Sequence, residues 1–241
     1  IGTRGPGETQ LETDRRLIRN KIRHLKAELE RVRRQRSLYR RQRAKQGLPV
    51  VSLVGYTNAG KSTLMRALSG ADVLVEDRLF ATLDPLTRRI DLPGGDVFLL
   101  TDTVGFIQKL PAQLVAAFRA TLEELAEAAL LVHVVDITHP NAAEQSEAVE
   151  DTLTELGLAD KPQMTVLNKV DLLRHKDGVP LEGIEGLGEL EESLGRRADV
   201  VMVSALEGWG IPELLVSIQG TLTQRRAVAG EGELRSYRAA G

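Results

Sequence analysis

The sequence predicts an α/β protein: a mainly parallel sheet with helices on both faces, preceded by a long basic helical arm. Three observations predict this. From residue 49 onward, short apolar runs alternate with helix-period stretches, the mark of strand–helix–strand units. A glycine-rich loop joins the first apolar run, Val50–Val54, to a helix-forming stretch. Before Gly47, apolar residues recur at 4-3-4-3 spacing in a heavily basic background.

The elements follow in order. Gly2, Gly5, Pro6 and Gly7 crowd residues 1–13 and predict a loop. Residues 14–48 form the arm, where Ile18, Ile22, Leu25, Leu29 and Val32 make a seam that Arg36 interrupts and Tyr39 resumes. A helix of about 33 residues would be about 50 Å long and calls for a partner helix. The chain opens at Ile1 inside a glycine-rich phrase and reads as a fragment, with that partner expected in a preceding segment. Residues 49–226 form the α/β domain. Its strands are expected at 50–54, 86–92, 96–101, 129–135, 163–167 and 199–203, with Pro93-Gly94-Gly95 turning a hairpin. Helices are expected at 61–70, 111–126, 141–157, about 184–195 and 210–225, and 174–189 reads as a loose connection. Residues 227–241 read as a polar tail without fixed structure.

Composition narrows the function. Hydrophobic residues make up 42% of 241, enough for a core. Cysteine is absent, which excludes disulfides and thiolate metal sites and points to a reducing, cytoplasmic setting. No apolar run reaches 18 residues, so no spanning helix is expected, and any membrane association would be peripheral. The net charge of −2 conceals an asymmetry: residues 1–46 hold 15 Lys/Arg against 5 Asp/Glu. Such a split predicts a basic arm that meets a polyanion beside an acidic globular domain.

The chemistry begins at Gly55-Tyr56-Thr57-Asn58-Ala59-Gly60-Lys61-Ser62-Thr63, a G-x-x-x-x-G-K-S phosphate-binding loop. Its backbone N–H groups can turn inward around a polyphosphate. Lys61 can reach the β- and γ-phosphates, Ser62 can ligate Mg²⁺, and the next helix points its positive end at the anion. Asn168-Lys169-Val170-Asp171 follows an apolar run and selects the base. A carboxylate at Asp171 can accept from guanine N1–H and the 2-amino group, a pair that adenine lacks. Asn168 would brace the loop and the Lys169 stem would pack on the ring. Backbone N–H groups of Ser204-Ala205-Leu206 could reach the guanine O6.

Asp102-Thr103-Val104-Gly105 ends another apolar run; Asp102 would hold Mg²⁺ through water and the Gly105 N–H would sense the γ-phosphate. Between these motifs lies Phe80-Ala81-Thr82-Leu83-Asp84, where Thr82 would give Mg²⁺ its second hydroxyl, with Thr87 as rival. Lys61, Thr82 and Gly105 are thus the candidate catalytic residues. The four histidines are scattered, and His133, inside an apolar strand, reads as a core residue.

This order of five motifs resembles the translation-factor class of P-loop GTPases. The phrases Gly2-Thr3-Arg4-Gly5-Pro6-Gly7-Glu8-Thr9-Gln10-Leu11-Glu12, Leu79-Phe80-Ala81-Thr82-Leu83-Asp84-Pro85 and Asp102-Thr103-Val104-Gly105-Phe106-Ile107 resemble the HflX family, within the Obg–HflX group. The resemblance implies GTP hydrolysis to GDP and phosphate, and binding to the large ribosomal subunit as a ribosome-splitting, rescue or biogenesis factor. It also implies that residues 1–13 are the tip of a helical hairpin whose first helix precedes the chain. Phe106 stands where many GTPases carry a water-orienting glutamine, so slow intrinsic hydrolysis with ribosomal stimulation is expected; Gln108 is a weaker substitute. In related G proteins an asparagine at the position of Asn58 helps hold K⁺, which makes potassium a second candidate cation beside Mg²⁺.

The arm's arginines, among them Arg15, Arg16, Arg19 and Arg23, are interleaved by a single aromatic, Tyr39. That pattern suits phosphate-backbone contact rather than base stacking, and with Arg4 they are the RNA candidates. The alternative is a G-protein switch whose coiled-coil arm binds a protein partner.

Overall fold

In the computed structural model the first strand forms where five consecutive apolar or small residues leave no polar face. The structure describes residues 14–21, 23–24, 47–70, 86–103, 105–106, 125–174, 183, 197 and 199–239, with backbone alone beyond 225. The chain divides into two units, 1–48 and 49–241.

In the first unit, residues 14–21 and 23–24 are helical, with every described side chain exposed. Arg23 Nη2 donates to Asn20 Oδ1 at 2.6 Å, and Leu17 and Ile18 are 60% and 58% exposed. The rest of the expected arm, and loop 1–13 with Arg4, lie outside the described residues.

The second unit is built on one six-stranded sheet. Its strands are β1 (Val50–Val54), β2 (Leu86–Asp91), β3 (Val97–Asp102), β4 (Leu130–Asp136), β5 (Gln163–Asn168) and β6 (Val200–Met202). Their order is β2-β3-β1-β4-β5-β6. All pairings are parallel except β2 with β3, whose hairpin closes at 92–96 through Gly95 N–H to the Leu92 carbonyl. Strands β1 and β4 are central and apolar on both faces, as a sheet covered twice requires.

Three described helices cover it: α1 (Lys61–Ser69), α2 (Ala142–Glu155) and α3 (Ile211–Ala239). The strand period of two sends Val51 and Leu53 to one face, where they pack with Leu64, Met65 and Leu68 of α1 and Leu214, Ile218 and Leu222 of α3. Val54 and Leu131 face the other way and pack with Val149 and Leu153 of α2. The i, i+4, i+8 stripe on α3 is what makes its first turns helical in context. Each of these side chains contributes roughly 1.5–3 kcal/mol by leaving water.

Strand ends differ from expectation by one or two residues. Two larger differences stand out. Helix α3 runs to Ala239, through the tail expected to lack fixed structure. Alanine, glutamate, arginine and leucine dominate 227–239 and carry the helix past Gly230 and Gly232. At 125–127 the chain makes a 3-10 turn, Leu125–Glu127, where the end of the 111–126 helix was expected. The remainder of that helix, and the one expected near 184–195, lie outside the described residues.

Candidate nucleotide site

Parallel strands put all their C-terminal ends on one edge, and the strand order reverses at β1, between β3 and β4. Ligands of such sheets bind at that switch point. The loop after β1 is 55–60, and α1 begins at Lys61. Asp102 ends β3, Asp136 ends β4, Asn168 ends β5, and Ser204 lies just past β6. Topology thus gathers onto one rim five segments that are up to 149 residues apart, from Gly55 to Ser204.

The P-loop is shaped by close approach. Gly60 has φ +94, and a Cβ there would overlap Asn168 Nδ2. Asn58 also takes a left-handed conformation, φ 62, with an exposed side chain, as a turn asparagine does. Lys61 is 6% exposed, and its Nζ donates to the carbonyls of Gly55 (2.9 Å) and Tyr56 (2.8 Å). Burial lowers its pKa to about 8, with Asp102 opposing the shift. Ser62 Oγ donates to Asp102 Oδ2 at 2.7 Å. This hydroxyl and carboxylate are hard oxygen donors held together at the helix start, a set that suits Mg²⁺. No cluster of three or more His, Cys, Asp or Glu that could hold a metal occurs among the described residues.

The end of β3 is tied to the P-loop. Thr103 Oγ1 donates to the Leu53 carbonyl at 2.6 Å. Phe106 N–H donates to the Gly55 carbonyl (3.1 Å), and Thr57 N–H donates to the Phe106 carbonyl (2.9 Å). A Cβ on Gly105 would stand 2.8 Å from Thr57 Cα and 3.1 Å from Lys61 Nζ. The Phe106 ring is 3% exposed and packs with Val54, Leu125 and Leu131. It is a core side chain.

At the ends of β5 and β6 one side chain does the joining. Asn168, 2% exposed, donates from Nδ2 to the Ala59 carbonyl (2.8 Å) and accepts at Oδ1 from Ala205 N–H (3.0 Å). It therefore locks the P-loop, the end of β5 and the Ser204 loop to each other. Lys169 follows at φ 67, and Asp171 lies in the short 3-10 turn Val170–Leu172. Ser204 is fully buried; its Oγ accepts Glu207 N–H at 3.1 Å, which turns the chain and leaves Leu206 67% exposed.

Thr87, the rival to Thr82, is held in the β2–β3 ladder opposite Thr101, with the two hydroxyls 3.2 Å apart. Phe80, Ala81, Thr82, Leu83, Asp84 and Val104 lie outside the described residues. His133 is 2% exposed, and burial, then Lys61, lower its pKa to about 4, so it is neutral at pH 7.

Asp136 belongs to none of the nucleotide motifs, yet it stands at the same rim, at the end of β4. Its Oδ2 is 2.7 Å from Lys169 Nζ, and its Oδ1 accepts from Thr138 N–H (3.0 Å) and Oγ1 (2.6 Å). The signal was present as an aspartate ending an apolar strand with threonine two residues on, an Asx-type turn.

A family described as "50S ribosome-binding GTPase" matches residues 50–169, and one described as "GTP-binding GTPase Middle Region" matches residues 1–43. GTPase HflX of Lacrimispora saccharolytica is 47% identical over 241 residues, covering 100% of this chain and 53% of that protein. GTPase HflX of Escherichia coli is 46% identical over 98% of this chain and 54% of its own length. GTPase HflX of Caldanaerobacter subterraneus is 57% identical over 72% of this chain and 40% of its own length. The chain thus spans about half the length of these relatives. A GTP-binding protein from Sulfolobus solfataricus, solved with GDP, superposes with a TM-score of 0.55 at 28% identity, covering 80% of this chain and 58% of that one. Aquifex aeolicus Era gives a TM-score of 0.53 at 23% identity over 71% of this chain and 56% of its own, a likeness of fold. The chain belongs to the HflX family of GTPases.

Proposed function

We propose that this chain binds GTP with Mg²⁺, hydrolyses it to GDP and phosphate, and couples that cycle to docking on the large ribosomal subunit. The single observation that carries the nucleotide reading is Asn168, whose two buried hydrogen bonds weld the phosphate loop to the base-reading loops. In this reading Lys61 leaves the Gly55 and Tyr56 carbonyls for the phosphates, and the P-loop N–H groups wrap the polyphosphate. Ser62 and Thr82 would hold Mg²⁺ directly and Asp102 through water, and the ion would neutralise charge on the phosphate oxygens. Asp171 reads the guanine N1–H and 2-amino group, and the Lys169 stem lies along the ring.

Phe106 is spent on packing, so hydrolysis by the chain alone is slow and the group that orients water comes from elsewhere. The exposed Asn58 side chain at the P-loop turn supports K⁺ as a helper cation. Comparing GTPase rates with and without large subunits, in K⁺ and in Na⁺, tests both statements.

The arm supports the ribosomal half. Arg15, Arg16, Arg19 and Arg23 are all exposed, and their i, i+3 and i+4 spacings align them along one helix. Phosphate contact makes affinity fall steeply with salt, and replacing Arg15, Arg16 and Arg19 with glutamine should lower the log–log slope by about three. Unchanged co-sedimentation with ribosomes would refute RNA contact. A second reading, a helical protein partner for the arm, is favoured by exposed Leu17 and Ile18. Leu17→Ser with Ile18→Ser would weaken such a complex and leave the salt slope unchanged.

A further inference from the structure

Lysine at the second position of the Asn168–Asp171 segment is a long, flexible cation. Left to itself it would sample many rotamers, and ordering it on a base would cost entropy. In this fold it is not left to itself. Asp136 and Asn168 are register partners at the ends of β4 and β5, so the two strands present their terminal side chains together. Ile137 N–H donates to the Asn168 carbonyl at 3.2 Å, which fixes the chain just past Asp136. Thr138 occupies one carboxylate oxygen of Asp136 with two hydrogen bonds, and the other oxygen faces Lys169 Nζ at 2.7 Å.

The side chain of Asp136 is 12% exposed and that of Lys169 is 32% exposed, so the pair sits at the half-buried rim rather than in open water. Burial alone would raise the Asp136 pKa, but hydrogen bonds from Lys169 and Thr138 outweigh it and hold the carboxyl below its ordinary value. The backbone of Lys169 is constrained as well: its φ of 67 is rarely adopted by residues other than glycine. Both ends of the lysine are therefore set before a ligand arrives.

We infer that Asp136, itself oriented by Thr138, is a positioning residue for guanine-nucleotide recognition, acting by anchoring the Lys169 ammonium so that its stem is laid out along the base. The inference rests on the base-side reading proposed above. It predicts that Asp136 affects nucleotide affinity only through Lys169.

The experiment is a double-mutant cycle on GTP dissociation constants for this chain, using Asp136→Ala, Lys169→Ala and the double variant. Asp136→Ala should weaken GTP binding about two- to tenfold, the span expected from freeing one long side chain. In the Lys169→Ala background the same change should have almost no further effect. Multiplying, independent losses would overturn the inference and make Asp136 merely structural. Asp136→Asn keeps an acceptor for the Thr138 turn while removing the negative charge that faces Lys169, and it should show the same coupling if the alanine variant folds poorly. Thr138→Val should give a smaller loss, likewise absent without Lys169. Inosine triphosphate, which lacks the 2-amino group, separates the two readings. Asp136→Asn should weaken GTP and inosine triphosphate by one factor, because a stem along the ring does not read that group. Asp171→Asn should weaken GTP more than inosine triphosphate. If Asp171→Asn weakens both alike, the base reading fails; if it discriminates but the cycle shows no coupling, the positioning role alone fails.

Discussion

The two halves of the rim are held by opposite means. On the proposed phosphate side, the buried Lys61 ammonium donates to two backbone carbonyls, and burial lowers its pKa to about 8 against the opposing charge of Asp102. On the base side, Asn168 and Asp136 are fixed by side-chain hydrogen bonds with well-matched partners. In the proposed reading, an arriving anion would restore the Lys61 charge that burial disfavours, whereas the base side is already hydrogen-bonded. A loop that must grip and release a changing charge should be the less satisfied of the two. A loop that must always present the same hydrogen bonds should be the more satisfied.

Substitutions can break this contrast. The largest effect is expected at Lys61. Lys61→Met should slow GTP hydrolysis by on the order of 10²–10³-fold, as loss of a preorganised charge donor does, yet leave the Tm undiminished, since it removes a buried charge. A clear drop in Tm would mean that the lysine is a net stabiliser and that the contrast is wrong. Gly105→Ala comes next. Its Cβ would press on Thr57 Cα and on Lys61 Nζ, and hydrolysis should fall by about 10²-fold through misplacement, with GDP affinity little changed. Asn168→Ala has the opposite profile. It strands the Ala59 carbonyl and the Ala205 N–H, costing about 2–5 kcal/mol and lowering Tm by roughly 5–15 °C. Calorimetry on the three variants orders them.

The pH dependence is a finer test. Lys61 has a folded pKa near 8 and an ordinary value of 10.5, so the unfolded chain binds more protons between those limits. Its contribution to stability therefore rises as pH increases from about 8 to 10.5 and is flat below. Phosphate binding needs the ammonium form and raises its pKa. GTP affinity should accordingly be flat below pH 8 and fall by up to about tenfold per unit above it, with proton uptake on binding measurable in buffers of different ionisation enthalpy. A flat affinity to pH 9.5 would show that Lys61 stays charged without its ligand.

Much of the rim was legible in sequence because each motif ends an apolar run. Gly55–Thr63 after β1, Asp102 at the end of β3 and Asn168 at the end of β5 were all readable from local pattern, and topology did the gathering. Asp136 shows locally only as an aspartate two residues before a threonine; its ion pair with Lys169 lies one strand away and is invisible to motif spacing. Phe106 was readable as a missing glutamine, but that its ring belongs to the core required the packing of Val54, Leu125 and Leu131. The helix through 227–239 was missed because its two glycines and polar composition outweighed, in a local reading, the helix formers between them. Strand ends slipped by a residue because hydrogen bonding, not hydrophobicity, sets them.

The most direct test of the account is competitive binding of GTP and ATP to the chain and to Asp171→Asn, followed by fluorescence of the single tryptophan. Trp209 accepts a backbone hydrogen bond from Ser204, in the loop proposed to reach the base, so it should report on that side. The account predicts that the chain prefers GTP by 10²-fold or more, as a buried donor–acceptor match allows, and that Asp171→Asn erases most of that preference. Equal affinity for GTP and ATP in the unsubstituted chain would contradict it.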